Sequence, residues 1–339
     1  MIPKPGGSRL VAACEQPRAA LTIASEMMPG PFERREAVVI VNPAAHNAAK
    51  RKALSAAHEW LREQGWKAEW AETSGVGDAT SAAAMAAEHR VPLVFVCGGD
   101  GTLNEAVNGL AGSETAVSVI PSGTVNLWAR ETGLLKKPAE AVRLAVEGVR
   151  RRIDLGRAGA RYFLSQVSFG VDAAVVHRAS HDMKGKVGAA AYALSAARQA
   201  MTYRGSRVTL SLDGEVRSER TLMVVAGNTR IYAGVTKITP DAIVDDGQLD
   251  ICIYEGLGRW DIVRLAALTL IRRHRGSKRV HHERVQHLAL VSEKPLPVQL
   301  DGEPLAESPT DITVAAGALW VMTPRGLRSP LFSRPPEPA

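Results

Sequence analysis

The feature that most constrains this chain is the order of its strand and helix signals, which changes once along its length. The β-branched run "AVVIVNP" (37–43) ends in Asn-Pro, a buried strand leading into a turn. "AAKRKALSAAHEWLREQG" then has helical spacing and a glycine stop, "WKAEWAET" reads as a strand and "DATSAAAMAAEHR" as a helix. "VPLVFVCGG", "TLNEAVNGLAG", "TAVSVIPSG" and "KPAEAVRLAVEG" continue the alternation to about residue 154. Strands that alternate with helices imply a parallel sheet covered on both faces. Beyond that point the chain reads mostly as strands punctuated by turns, with helical patterns only at about 186–203 and 259–274. The expected fold class is therefore α/β: an N-terminal Rossmann-like parallel sheet with helices on both faces, followed by a mostly antiparallel β-sandwich.

The expected boundaries are a loose tail at 1–35, an α/β domain at 36–154, a β-rich domain at 155–325 and a loose end at 326–339. The C-terminal strands can return to the first domain. A length of 339 residues suits two cores of ordinary size. Cys14, Cys97 and Cys252 lie far apart, which gives neither a disulfide framework nor a zinc signature. With no apolar run long enough to span a bilayer and no signal-peptide pattern at the start, the expected location is the cytoplasm, with peripheral membrane association. The formal charge of +7 suits nucleotides, anionic membranes or nucleic acid without choosing among them. Nucleic acid is the least favoured, because the basic residues lack interleaved aromatics and any recognition motif.

In an open α/β sheet, ligands bind beyond the carboxyl ends of the strands. The run through Cys97 delivers Gly98, Gly99, Asp100 and Gly101 to that edge, where bare backbone N–H groups and the start of a helix at Thr102 suit a phosphate. Asp100 has two roles open to it: to hold a Mg²⁺-bound water, or to fix the loop's own N–H groups. The next strand repeats the arrangement with Pro121, Ser122, Gly123 and Thr124, and Asn126 and Arg130 follow. The lysine-bearing Walker loop is absent.

"GGDGTLNEAVNGL" together with "PSGTVNLWAR" resembles the catalytic domain of the diacylglycerol kinase family, which includes bacterial lipid kinases and the sphingosine and ceramide kinases. The resemblance runs from about Val38 to about Met322. It implies an NAD kinase/diacylglycerol kinase-like fold and ATP-dependent phosphorylation of a lipid hydroxyl, with diacylglycerol as the leading acceptor and a sphingosine or ceramide type as the alternative. It implies ATP contacts from Gly98, Gly99, Asp100, Gly101, Thr102, Leu103, Asn104 and Glu105, from Gly123, Thr124 and Asn126, and from Asn42 and Thr73. Asp154 in "RRIDLG" also matches. Two departures stand out: "NPAAH" lacks the family's glycine, and Leu127 stands where members often carry aspartate.

In the second half, Asp245-Asp246-Gly247 reads as a hairpin turn on its residues alone. The resemblance makes the segment a structural Mg²⁺ site, with the Asp246 carboxylate and the backbone carbonyls of Ile243 and Gln248 as ligands. Asp-Gly-Glu occurs at 213–215 and at 301–303. The first copy is expected to be a simple turn. The second matches the family's catalytic tripeptide, with Glu303 as the proton acceptor and Asp301 as its orienting or metal-side partner. A lipid alcohol is a weak nucleophile, and a positioned carboxylate can take its proton during phosphoryl transfer. "RVHHERVQH" is expected to be a solvated basic segment. "RWDIVRLAALTLIRRHRGSKRVHHER" reads either as a helix that lies transiently on an anionic membrane or as one packed on its own domain. An NAD kinase-like enzyme and a non-catalytic nucleotide- or lipid-binding module are the rival classes. Oligomeric state is left open, a homodimer included.

Overall fold

The computed structural model describes residues 32–45, 48–182, 201–232, 234, 236–256, 258–271, 273–306, 308 and 310–337. Expectations for residues 1–31 and for the helical pattern at 186–200 fall outside this set. The first half forms β1 (Glu36–Val41), α1 (Ala48–Glu63), β2 (Lys67–Glu72), α2 (Asp78–Glu88), β3 (Leu93–Gly98), α3 (Asp100–Leu110) and β4 (Ala116–Pro121). Short α4 (Leu127–Glu131) and α5 (Pro138–Val146) follow. β1 pairs in parallel with β2 and β3, and β3 with β4. Every residue of β3 is buried, as expected of a parallel strand covered on both faces. One core, with Val94, Val117 and Leu103, lies on one face; Phe95, Ile120 and Leu61 belong to the other.

The second half contains β5 (Val149–Ala158), β6 (Arg161–Phe163), β7 (Gln166–Gly170), α6 (Val171–Asp182), β8 (Ser206–Leu212) and β9 (Glu215–Gly227). The short β10 (Ile231–Tyr232) and β11 (Thr236–Lys237) form a hairpin, and β12 (Leu249–Glu255) follows. A helix at Arg259–Leu270 precedes β13 (Val280–Val285), β14 (His287–Ser292), β15 (Val298–Leu300), β16 (Glu303–Leu305) and β17 (Asp311–Thr323). Apart from the contact of β17 with β4, these strands pair antiparallel, and they enclose a third core around Phe163, Phe169 and Leu210.

Two long strands join the halves. The far end of β17 pairs in parallel with β4, its near end pairs antiparallel with β14, and β5 runs antiparallel along most of it. The register breaks between Ala315 and Leu319, where Gly317 adopts a left-handed φ of 59°. Buried Asp154 closes this junction: Oδ1 accepts the Gly317 N–H at 2.6 Å and Oδ2 accepts the Gly247 N–H at 2.6 Å.

Two expectations need correction: the strand-rich half holds a helix, α6, besides the two helical patterns read from the sequence, and its last segment is not loose. "RYFLSQVSFG" is divided into β6 and β7, because the N–H groups of Leu164 and Ser165 turn away to a side chain. The end after residue 326 is held to the fold: Leu331 is fully buried, and Asp245 accepts the N–H groups of Ser333 and Arg334. The histidine segment lies on β13 and the start of β14, partly exposed. His281 meets Glu255 at 2.8 Å and His287 meets Asp311 at 3.1 Å, while burial pushes His282 down to about 4.

Candidate functional site

Register places the loops. Val41 pairs with Cys97, and Gly98 with Pro121, so Asn42, Gly99 and Ser122 leave the sheet at one edge. Thr73 joins them, its N–H donating to Val41 O at 2.9 Å. Asn42 links two loops directly, with Nδ2 donating to the Thr102 hydroxyl at 3.0 Å.

The two glycine turns nearly touch. A Cβ on Gly123 would fall 2.6 Å from the Gly99 Cα, so a side chain there would force the loops apart. Asp100 locks them together: its carboxylate accepts N–H groups from Asn126 at 3.0 Å and from Leu127 at 2.6 Å. Of the two roles open to Asp100, this geometry gives it loop fixing. Burial raises its carboxyl pKa, while these N–H donors oppose the rise. Asn126 sits in the left-handed region (φ 53°) and closes the turn on itself through Gly123. Leu127 therefore serves here through its main chain, and Thr124 is exposed.

α3 begins at Asp100, with no side chain capping its first turn. The leading N–H groups of a helix have no intrahelical partner and carry its positive end, a ready place for an anion. Across from it stands the turn between β15 and β16. A Cβ on Gly101 would lie 2.9 Å from Glu303 Oε1, so the only residue without a side chain is what lets this carboxylate reach the helix start. Glu303 Oε2 faces Arg161 at 3.2 Å. The leading N–H groups of α3 and the Glu303 carboxylate thus stand side by side.

Asp301 supports the Glu303 turn. Its carboxylate accepts N–H groups from Leu164 (2.8 Å), Ser165 (2.9 Å) and Gln166 (2.7 Å), which explains the break between β6 and β7. Burial pushes its carboxyl up to about 6, against the pull of those donors and with a smaller push from Asp100. Asn104, its amide nitrogen turned toward Asp301, donates to Oδ2 at 3.0 Å. Gln299 completes the turn by accepting the Gly302 N–H at 2.7 Å.

Not every expected nucleotide contact faces this site. The Leu103 side chain belongs to the core of the parallel sheet. Glu105 turns to the start of α2, accepting the Gly77 N–H at 3.0 Å. Asp246 lies at the domain junction, its Oδ1 accepting the Gln248 N–H at 3.0 Å and its Oδ2 3.7 Å from Arg284. Among the described residues, no three His, Cys, Asp or Glu side chains converge as metal ligands.

Other residues had no role assigned from the sequence, Asn108 standing there only as part of the motif that carries the resemblance. Asn108 clamps α3 to β6, donating to Tyr162 O and accepting the Tyr162 N–H, both at 2.9 Å. Its spacing of four from Asn104 puts both amides on one helix face, a signal present in the sequence. Glu131 accepts N–H groups from Arg230 and Ile231 and pairs with the Arg230 guanidinium at 2.8 Å, both side chains being buried. Nothing in the sequence marks that partnership.

Residues 36–158 match the diacylglycerol kinase catalytic domain, and residues 165–323 match the YegS C-terminal NAD kinase beta sandwich-like domain. The chain carries a diacylglycerol kinase catalytic domain. Its relatives include a diacylglycerol kinase of Staphylococcus saprophyticus, 27% identical over 298 residues (87% of this chain and 98% of that one). A diacylglycerol kinase of Bacillus subtilis is 29% identical over 273 residues, covering 79% of this chain and 90% of that one. The crystal structure of a diacylglycerol kinase from Bacillus anthracis has the same fold, with a TM-score of 0.70 at 24% identity over 87% of this chain and 99% of that one. In this lipid kinase the glycine loops and the Asp-Gly-Glu turn come together at the start of α3.

Proposed function

We propose that the protein transfers the γ-phosphoryl group of ATP to the free hydroxyl of a diacylglycerol, giving phosphatidic acid. The observation that carries this reading is the approach of Glu303 Oε1 to Gly101 at the start of α3. The triphosphate lies against the N–H groups of the Gly98–Asn104 loop, with Asn42, Thr73, Gly123, Thr124 and Asn126 around it. Asp100 contributes by holding the second loop in register with the first. Mg²⁺ accompanying the nucleotide neutralises charge on the phosphates.

Glu303 takes the hydroxyl proton on Oε1. The alcohol oxygen forms the new bond to the γ-phosphorus, the bond from that phosphorus to the bridging oxygen breaks, and ADP leaves with that oxygen. Arg161 holds the other carboxylate oxygen, which fixes the direction in which Oε1 points. Asp301 acts through Glu303, as a positioning residue. A second, structural Mg²⁺ would be held by the Asp246 carboxylate and the carbonyls of Ile243 and Gln248, hard oxygens that suit this ion. Peripheral contact with a membrane follows from a bilayer-borne substrate.

Glu303→Gln keeps shape but not basicity. It is expected to lower turnover by about 10²–10⁴-fold, the usual worth of general-base catalysis. ATP affinity, measured by calorimetry, should stay within a few-fold of the native protein. Near-native turnover in this variant would remove Glu303 from the role.

A further inference from the structure

We infer that the outer face of the Arg259–Leu270 helix is the surface by which the protein docks on an anionic bilayer, one hairpin away from the phosphate loops. The inference rests on the lipid-kinase reading and adds to it a specific surface.

The inner side of this helix is anchored. Ile262 is buried among Met223, Cys252 and Tyr254, and the Thr269 carbonyl accepts the Thr236 hydroxyl at 2.9 Å. The outer side is apolar and uncovered: Trp260 is 71% exposed, Val263 43% and Ile271 61%, with exposed Ala267 between them. Positions 260, 263, 267 and 271 are spaced by three and four, so they form one stripe. Single exposed apolar residues are ordinary, but a continuous stripe headed by tryptophan and bordered by cations has the character of an interfacial helix. From 259 to 279 the sequence holds seven Arg or Lys against one acidic residue, Asp261. Asp261 is taken up by Arg279, while Arg259, Arg264, Arg273 and Lys278 stand exposed around the stripe.

That charge selects the occupant. Two copies meeting through this face would bring like charges together, whereas phosphatidylglycerol-type headgroups complement them. The surface also adjoins the site. Thr236 ties the helix to the β10–β11 hairpin, and at the hairpin's tip a Cβ on Gly234 would fall 2.5 Å from Val125 Cγ1, within the loop that Asp100 fixes.

Co-sedimentation of the full chain with phosphatidylglycerol/phosphatidylcholine vesicles, without ATP, tests the inference. The native protein should bind these vesicles, ignore pure phosphatidylcholine and dissociate in high salt. Trp260→Ser/Val263→Ser and Arg264→Gln/Lys278→Gln should each weaken partitioning by about tenfold or more. Val216→Ser, which removes an exposed apolar residue from β9, should not. Turnover on diacylglycerol embedded in vesicles should fall in parallel with binding, and turnover on dissolved short-chain diacylglycerol should hold. Thermal midpoints establish that the variants are folded. Native-like vesicle binding by both double variants overturns the inference, as does indifference of the native protein to phosphatidylglycerol. So does a stripe variant that changes oligomeric state while binding vesicles normally. Vesicle binding without phosphorylation of any lipid would instead sink the catalytic reading and leave the docking surface standing.

Discussion

Asp213-Gly214-Glu215 and Asp301-Gly302-Glu303 are one tripeptide in two settings. Both turns carry left-handed aspartate and glycine, with φ of 48° and 94° in the first and 49° and 87° in the second. In both, the aspartate captures main-chain N–H groups of a neighbouring segment. Their surroundings differ: Asp213 and Glu215 are exposed, whereas burial raises the Asp301 carboxyl and Glu303 faces the start of α3. The tripeptide itself does not distinguish the copies; the resemblance of the longer segment is what singled out Glu303. The Asp301 carboxyl, pushed from 3.8 up to about 6, favours folding most fully below 3.8, and that contribution is lost as pH rises through about 6. Its ionised form is the one that accepts all three N–H groups, so kcat/KM should show an acid limb near pH 6 that Asp301→Asn abolishes. A limb unchanged in the variant would assign the titration elsewhere. Asp100→Asn leaves one oxygen for two N–H donors and should weaken ATP binding about tenfold, as measured by calorimetry, given that hydrogen bonds to charged groups contribute about 1.5–3 kcal/mol. An unchanged affinity would mean that the loops hold their register without Asp100.

At the scale of elements, β1, β3 and β4 were legible because buried parallel strands write themselves as apolar runs closed by turn residues. The break between β6 and β7 was not, because its cause, the Asp301 carboxylate, lies 137 residues further along the chain from Leu164. The same holds for the clasp of Glu131 with Arg230, 99 residues apart. Removing one member of a buried pair leaves the other charge uncompensated, so Glu131→Ala should cost about 3–5 kcal/mol in urea unfolding. A loss under 1 kcal/mol, roughly the worth of an exposed pair, would show that the clasp is solvated. The Asp246 segment is tested by metal: Mg²⁺ should raise the thermal midpoint of the native protein and leave that of Asp246→Ala unmoved. Equal shifts in both would place the ion elsewhere.

For the whole molecule, the change from alternating to all-strand signals showed that a nucleotide-type sheet is followed by a β-rich partner. It did not show that β5 and β17 run through both, which comes from pairing at long range. That continuity makes the site a product of the fold: α3 hangs from the parallel sheet, the Glu303 turn from the sandwich, and Asp154 pins the strands between them. The most direct test of the joint site is to incubate the protein with γ-labelled ATP, Mg²⁺ and a total lipid extract, with NAD offered in parallel, and to identify what carries the label. The predicted product is labelled phosphatidic acid, absent from the Glu303→Gln sample. Label on NAD, or on no lipid while ATP remains bound, would contradict the account.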